Sequence, residues 1–368
     1  MKSYDRSKWE KVRLGDICSV TTGKLDANAM HPYGKYAFFT CAKEVYKINN
    51  YAFDTEALLI SGNGSHVGYV HYYKGKFNAY QRTYVLDNFS VNIIFIKHLL
   101  DNKLAKRINI EKKSGNTPYI LRNTLCDMEI LKPVSTDEQF AIVDALQCVD
   151  SCISNLEKLI SKQENIKKST EKMLLTPKAD WQQVRLGDIV DYYKGCGLSK
   201  EKLSSNGNYP CILYGELFTK YNEIIDEVQS KTFITEGFSS CYDDVLLPGS
   251  TTTCGEDLIK ASAILQDDVL LGGDIIVLRP NKRIVCGRFL AYLISQYKKD
   301  MLKYTQGITI IHLQGHKMMD LQIKIPNLVV QRDIVNNIIK IDEHLKQLRY
   351  SLDKLCNIKT GMMSYFFG

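Results

Sequence analysis

Two stretches of this chain carry apolar residues at alternating spacings of four and three. Ile142, Leu146, Val149, Ile153, Leu156 and Ile160 form the first set; Ile334, Ile338, Ile341, Leu345, Leu348 and Leu352 form the second, in the same phase. That spacing is the seam of a coiled coil. The first helix is expected to begin at Ser135-Thr-Asp-Glu138, a capping-box pattern after Pro133, and to stop at Thr176-Pro177, since proline cannot continue a helix. The second is expected to follow Pro326-Asn327 and to fray near Gly361. About forty residues at ~1.5 Å each make a rod of roughly 60 Å. Two long stripes in one phase predict helices that pair with each other.

Outside these stripes the pattern is mixed. Short strands are expected at Glu56–Ser61, Gly68–Tyr73, Thr83–Asp87, Asp244–Leu247 and Asp274–Arg279, and helices at Asn92–Asn109 and Gly287–Leu302. Polar glycine-containing turns, Ser61–Ser65 and Gly249–Gly255, interrupt the strands. The pattern also repeats. Trp9-Glu-Lys-Val-Arg-Leu-Gly-Asp-Ile17 returns as Trp181-Gln-Gln-Val-Arg-Leu-Gly-Asp-Ile189, seven of nine positions identical at an offset of 172. Leu58–Gly62 answers to Val245–Gly249 at 187, and Gly115-Asn-Thr117-Pro-Tyr-Ile-Leu121 to Gly307-Ile-Thr309-Ile-Ile-His-Leu313 at 192. From Gln139/Gln331 onward the offset stays at 192, so the second copy carries about twenty extra residues inside its globular part. A period this long is a duplicated domain rather than a solenoid unit. The order globule, rod, globule, rod predicts antiparallel rods and an approximate two-fold axis, a single chain imitating a symmetric dimer.

Charge and cysteines narrow the setting. The chain has a formal net charge of +7, and residues 1–135 hold +8 while residues 177–327 hold −1. The first globule therefore suits a polyanion, and the second needs a local basic face. Eleven Cys, an odd number with no Cys-x-x-Cys, and an N-terminus unlike a signal peptide point to free thiols in a reducing, cytoplasmic setting. Cys148 and Cys152 are expected to be buried beside the seam rather than to form a metal half-site, and no metal site is expected. No apolar run is long enough to span a membrane.

The common catalytic motifs do not assemble. There is no Gly-x-x-x-x-Gly-Lys-Ser/Thr loop and no Pro-Pro dipeptide, so the Asn/Asp-Pro-Pro-aromatic motif of amino-methyltransferases is missing. Gly62-Asn-Gly64-Ser-His-Val-Gly68 leads into a strand rather than the helix a dinucleotide fingerprint requires. His312-Leu-Gln-Gly-His316 has zincin spacing without the Glu base, and Glu111-Lys-Lys113 is half of a nuclease Glu-x-Lys motif. A self-sufficient methyltransferase or nuclease is therefore disfavoured, and no catalytic residue is expected.

The duplicated Trp-x-x-Val-Arg-Leu-Gly-Asp-Ile opening, the Gly-x-Thr-x-x-x-Leu element before each helix and the two heptad tails together resemble the specificity subunit of type I restriction-modification enzymes, over essentially the whole chain. The resemblance implies an α/β chain of two similar mixed α/β target-recognition domains (residues 1–134 and 177–327), joined by two long antiparallel coiled-coil spacer helices (135–176 and 328–368) with pseudo-two-fold symmetry. It implies a bacterial or archaeal, DNA-associated protein whose domains each read one half of a bipartite double-stranded DNA site. It also implies two docked methyltransferase subunits and added motor-nuclease subunits. S-adenosylmethionine and ATP with Mg belong to those partners, and this chain takes no cofactor. Two major-groove readers on successive turns lie about 34–36 Å apart, a distance that a rigid rod can set. A coiled-coil scaffold whose globules bind protein is the alternative; steeply salt-dependent DNA affinity would separate the two.

Candidate DNA contacts follow from residue type, with Lys, Arg and hydroxyls for phosphate and Arg, Lys, Asn and Gln for base edges. In the first copy these are Asn63, Ser65, His66, Lys74, Lys76, Asn78, Tyr80, Gln81 and Arg82, around the glycine turn and the next hairpin. In the second they are Lys194, Ser199, Lys200, Tyr214, Ser250, Thr251 and Thr252. Arg13 and Arg185 sit in the repeated motif and are expected to be structural, paired with a carboxylate such as Asp16 or Asp188. Outward positions Glu157, Lys158, Glu164 and Lys168 on the first rod are expected subunit contacts.

Overall fold

The structure, a computed structural model, describes residues 5–111 and 119–368. Lys112, Lys113 and the Gly115-Asn-Thr117 part of the repeated element lie outside the described residues. The chain divides into two compact units, Met1–Lys158 with Tyr350–Gly368, and Leu159–Arg349.

In the first unit a six-stranded sheet runs in the order Ser19–Thr22, Thr83–Asp87, Phe53–Ser61, Val70–Ala79, Tyr36–Phe39, Tyr46–Ile48. Its pairs are antiparallel except Tyr36–Phe39 with Val70–Ala79, which is parallel. The alternation of strand side chains splits the core between two faces. Leu58, Ile60, Val70 and Leu86 pack on Phe95, Ile96 and Leu99 of the helix Ile93–Glu111. Ala57, Leu59, Phe77 and Val85 form a separate small core with Ala37 and Phe39. Val70–Ala79 runs six residues past the expected end at Tyr73. Gly75, at φ +125°, provides a left-handed kink inside it, a conformation open to glycine and few others.

The second unit repeats five of these strands in the same order and sense: Val190–Lys194, Ile275–Pro280, Asp244–Pro248, Ser262–Ile264 and Ile224–Ile225, the last pair again parallel. A further sheet of Ser230–Thr232, Tyr209–Ile212, Leu270–Leu271 and Phe238–Ser239 has no counterpart of that order among the described residues of the first. The helix expected at Gly287–Leu302 ends at Ile294, followed by short turns at Ser295–Tyr297, Lys298–Met301 and Leu302–Tyr304. Ser295 Oγ donates to the Tyr292 carbonyl at 2.6 Å, a local bond of the kind that competes with a helix ladder.

The repeated opening motif is a framework in both units. Trp9–Arg13 pairs antiparallel with Glu129–Pro133, and Gln182–Arg185 with Gln322–Ile325. Trp9 meets Phe95 edge-on at 6.1 Å, and Trp181 meets Phe289 at 6.0 Å. Arg185 bonds Asp188 at 2.9 Å and Asp320 at 3.1 Å. Arg13 pairs with Asp127 at 4.0 Å rather than with Asp16, because the neighbouring strand, not the local turn, brings the carboxylate. Asp127 and Asp320 are 193 apart, and the element before each helix follows that offset rather than 192. The missing residue is recovered at the helix start, where Gln139 follows Pro133 by six positions and Gln331 follows Pro326 by five. Both amides are buried. Gln139 accepts from the Asn92 N–H and Gln331 from the Cys286 N–H, while their amide groups donate to the proline carbonyls.

The long helices are Thr136–Leu175 and Leu328–Phe367, forty residues each. Ser135 Oγ accepts from the Glu138 N–H, and the Glu138 carboxylate accepts from the Trp9 indole at 2.8 Å. Asn327 caps the second helix by accepting from the Val330 N–H. That helix does not fray at Gly361, because Met362, Met363, Phe366 and Phe367 pack on the first unit's core. Of the twelve seam residues, Ile142, Leu146, Ile160, Ile334, Ile338 and Leu345 are buried, and Val149, Ile153, Leu156, Ile341, Leu348 and Leu352 are half-buried. Cys148 and Cys152 are exposed rather than buried, since each lies one position off the seam residues Val149 and Ile153. In the second unit Lys167 pairs with Asp342 at 2.7 Å and Glu164 with Arg349 at 2.7 Å, numbers that run in opposite directions along the two helices. In the first, Asp150 pairs with Lys359 at 2.6 Å. Asp150/Asp342 and Lys167/Lys359 are both 192 apart, so each unit makes the same bridge with the roles of the two helices exchanged.

Candidate nucleic-acid interface

Each unit gathers its turns at one end of the common sheet, on the same backbone frame. Gly23 N–H donates to the Thr83 carbonyl, as Gly195 N–H does to Ile275. Gly62 N–H donates to Arg82 at 2.9 Å, and Gly249 N–H to Asp274 at 2.6 Å. The Gly62 carbonyl accepts from Ile120 N–H and the Gly249 carbonyl from Leu313 N–H. Asn63 then bridges Tyr119, and Ser250 pairs with His312. A Cβ on Gly62 would stand 2.3 Å from the Arg82 carbonyl oxygen, and one on Gly249 2.7 Å from that of Asp274. Only glycine permits so close an approach. The frame is shared; the side chains on it are not. Asn63 is matched by Ser250, Tyr119 by His312, and Arg82 by Asp274.

In the first unit this end brings together Asn63, Ser65, His66, Tyr80, Gln81 and Arg82. Gln81 donates to Asp26 at 3.2 Å, and the Tyr84 hydroxyl donates to Ile120 at 2.9 Å, tying two turns. Burial raises the Tyr84 pKa, which keeps that donor protonated. Lys24 and Lys43, exposed beside these residues, add positive charge that residue type alone did not single out. The signal for Lys24 was Gly23/Gly195, which keep the opening motif's offset of 172.

Three candidates of the first copy lie elsewhere. Lys74 and Lys76 project from the hairpin, where Glu56 and Asp54 face them at 3.3 and 3.9 Å. Tyr72 donates to the same Glu56, which holds that carboxyl below its usual range and pushes the tyrosine up to about 12. Asn78 is a correction: it is 4% exposed, donates to Asn50 and accepts from the Ala79 N–H. Its amide is spent inside the fold.

In the second unit Tyr214, Ser250, Thr251 and Thr252 line one cavity of about 870 Å³, with Thr253, Glu256, Asp257, Lys260, Asp274 and His312. Ser250 donates to Asp274 at 3.0 Å, and Thr251 and Thr253 share a bond at 2.9 Å. Thr253 donates to Asp257, holding that carboxyl below its usual range. Ser250 and Thr251 are buried in the wall, whereas Thr252 is exposed. Acidic groups outnumber Lys260 and Lys298 in this lining, so the cavity does not suit a phosphate path. Lys194, Ser199 and Lys200 are exposed and outside the lining; Ser199 donates to Glu201 at 2.6 Å. On the first long helix Glu157, Lys158 and Lys168 are exposed, but Glu164 is taken by Arg349.

The family model for the type I restriction modification DNA specificity domain matches twice, over residues 6–165 and 178–352. The chain belongs to that family. A type I restriction enzyme EcoDI specificity subunit from Escherichia coli is 40% identical over 158 residues, 43% of this chain and 34% of that protein. The MjaVIII specificity subunit from Methanocaldococcus jannaschii is 24% identical over 209 residues, 56% of this chain and 45% of that protein. The matched stretches thus span about a third to under a half of these curated relatives' own length. In fold, this member of the specificity family is similar to the crystal structure of a type I restriction-modification S subunit from M. genitalium. That likeness has a TM-score of 0.65 at 18% identity, covering 100% of this chain and 98% of the other. Within the described residues no helix of this specificity-family chain is long and apolar enough to cross a membrane.

Proposed function

We propose that this chain is the DNA-specificity subunit of a type I restriction-modification complex. Residues 1–134 and 177–327 each read one half of an asymmetric double-stranded site. The observation that carries this reading is the doubled backbone frame with different polar side chains on it. One scaffold presenting Arg82, Asn63 and Tyr119 in one copy and Asp274, Ser250 and His312 in the other suits the reading of two unlike half-sites. The charge of the two copies differs in the same sense, +8 over residues 1–135 and −1 over 177–327.

In this proposal the chain performs no chemistry. The two long helices set the spacer and dock two copies of one methyltransferase subunit, because a duplicated sequence offers like surfaces twice. Motor-nuclease subunits join for restriction, and S-adenosylmethionine and ATP are bound by those partners. The setting is the cytoplasm.

Selection from a randomised duplex library by the purified chain tests the reading. A two-part motif with a constant gap is expected, with affinity falling steeply as salt rises, by about 0.9 in log–log slope per phosphate neutralised. Exchange of residues 177–327 for those of another family member should alter one part only. Adding one turn to both helices should lengthen the gap. Recovery of no motif, or salt-independent capture of protein instead of DNA, would refute the reading in favour of a coiled-coil scaffold.

A further inference from the structure

Arg82 and Asp274 occupy one place on the doubled frame. Each directly precedes a central strand, Thr83–Asp87 or Ile275–Pro280. Each gives its carbonyl to the glycine of the facing turn. Both are exposed. Their chemistry is opposite: a fork of donors in one copy, an acceptor-only carboxylate in the other. No ion pair engages Arg82 among the described residues. Asp274 has one carboxylate oxygen held by Ser250 at 3.0 Å, and no other side-chain hydrogen bond to it occurs among the described residues.

A carboxylate on a DNA-facing surface is repelled by phosphate, so its use there lies with base edges that offer a donor. The amino group of cytosine is such a donor in the major groove, whereas guanine offers two acceptors that match an arginine fork. The Ser250 bond fixes the orientation of the Asp274 carboxylate, and orientation is what base discrimination requires. Asp274 also sits at φ +59°, a left-handed conformation that Asp and Asn adopt more readily than most residues.

Resting on the DNA-reading function above, the geometry points to Arg82 and Asp274 as equivalent specificity-determining residues. Arg82 reads a guanine in one half-site, and Asp274 reads a cytosine amino group in the other. The two half-sites therefore differ at matching positions because one frame position carries opposite hydrogen-bonding chemistry in the two domains.

The test is the same library selection, run on the intact chain and on R82Q and D274N. Asn and Gln pair with adenine through its amino group and ring nitrogen. R82Q should turn a guanine into an adenine in one part of the motif, and D274N a cytosine into an adenine in the other. Each should lose roughly five- to a hundred-fold of its original preference at that base, with the opposite part unchanged. Asn keeps the shape, the left-handed backbone and the bond to Ser250, so D274N is expected to fold. S250A, which frees the carboxylate without altering it, should weaken preference at the same cytosine. Unchanged base preferences in R82Q and D274N, or a uniform loss of affinity across all sequences, would overturn the assignment. If the unaltered chain enriches no two-part motif, the DNA reading itself falls and takes this inference with it.

Discussion

Replacing Gly62 with alanine would place a methyl carbon 2.3 Å from the Arg82 carbonyl oxygen, about 1.1 Å short of the 3.4 Å at which ordinary contact begins. At Gly249 the same change leaves 2.7 Å to the Asp274 oxygen, a shortfall of about 0.7 Å. The obstruction is backbone in both cases, so no rotamer change relieves it. The turn must move by most of that distance and surrender its glycine N–H bond to the facing carbonyl. Overpacking of this kind costs about 1–3 kcal/mol and the bond about 1 kcal/mol. More tellingly, a shift of about 1 Å in a recognition frame exceeds the tolerance of a positioned contact, near 0.5 Å. G62A should therefore broaden base preference in one half-site by roughly tenfold while sparing the other. G249A should do the reverse more mildly. Gly273, one residue from the same frame position, has nothing within 4 Å of its Cβ site, and G273A serves as the neutral control. Library selection reads the preferences, and hydrogen exchange over each turn reads the displacement. If G62A leaves both half-sites sharp, or blurs both equally, the frame does not position the readers.

Three other perturbations test separate parts of the molecule. Q331L would strand the Cys286 N–H and the Pro326 and Ile284 carbonyls, at about 1–3 kcal/mol for each unpaired buried group. Hydrogen exchange should show faster opening of the second unit than Q139L causes in the first, where fewer bonds are lost. Equal or reversed effects would count against these glutamines as ties. Burial raises the Glu171 pKa, with Lys167 opposing and Glu223 and Asp342 adding to it. A raised folded value adds stability below the usual glutamate range and loses it as pH climbs through that value. E171Q should thus raise the thermal midpoint at pH 7 and leave it nearly unchanged at pH 4, and a lower midpoint at pH 7 would refute this. K24Q should reduce the salt slope of DNA binding by about 0.9 with no change in motif; an altered motif would mean that Lys24 touches bases instead.

The helices and the duplication were legible because periodicity and identity are local records of long-range packing. The strand cores were legible too, since Leu58–Ile60 and Val85–Leu86 are short apolar runs, as strands buried on both faces must be. What escaped was settled by partners distant in sequence. Arg13 takes Asp127 because an intervening strand pair brings it there. Asn78 looked like a groove reader by type, yet the parallel pairing of its strand with Tyr36–Phe39 buries it. The second long helix outlasts Gly361 because tertiary contacts at Phe367 outweigh the weak helix propensity of glycine. The equivalence of Arg82 and Asp274 was hidden for another reason. It rests on a carbonyl, and main-chain atoms leave no mark in the residue string.

The packing of Phe367 against Phe95 at 5.4 Å, beside Ile142 and Leu146, has a consequence for how the chain is born. The unit that starts first on the ribosome cannot finish first. Its core stays open on one side until residues 350–368 have emerged, whereas Leu159–Arg349 is a continuous stretch that can close as soon as it is out. At about 5–20 residues per second, the early unit waits on the order of ten seconds or more with its apolar helix-binding surface bare. A second copy carries the same Met362, Met363, Phe366 and Phe367 face, so exchange of this helix between copies is the expected failure during that interval. Crowded translation on one message thus becomes a route to exchanged, intertwined assemblies.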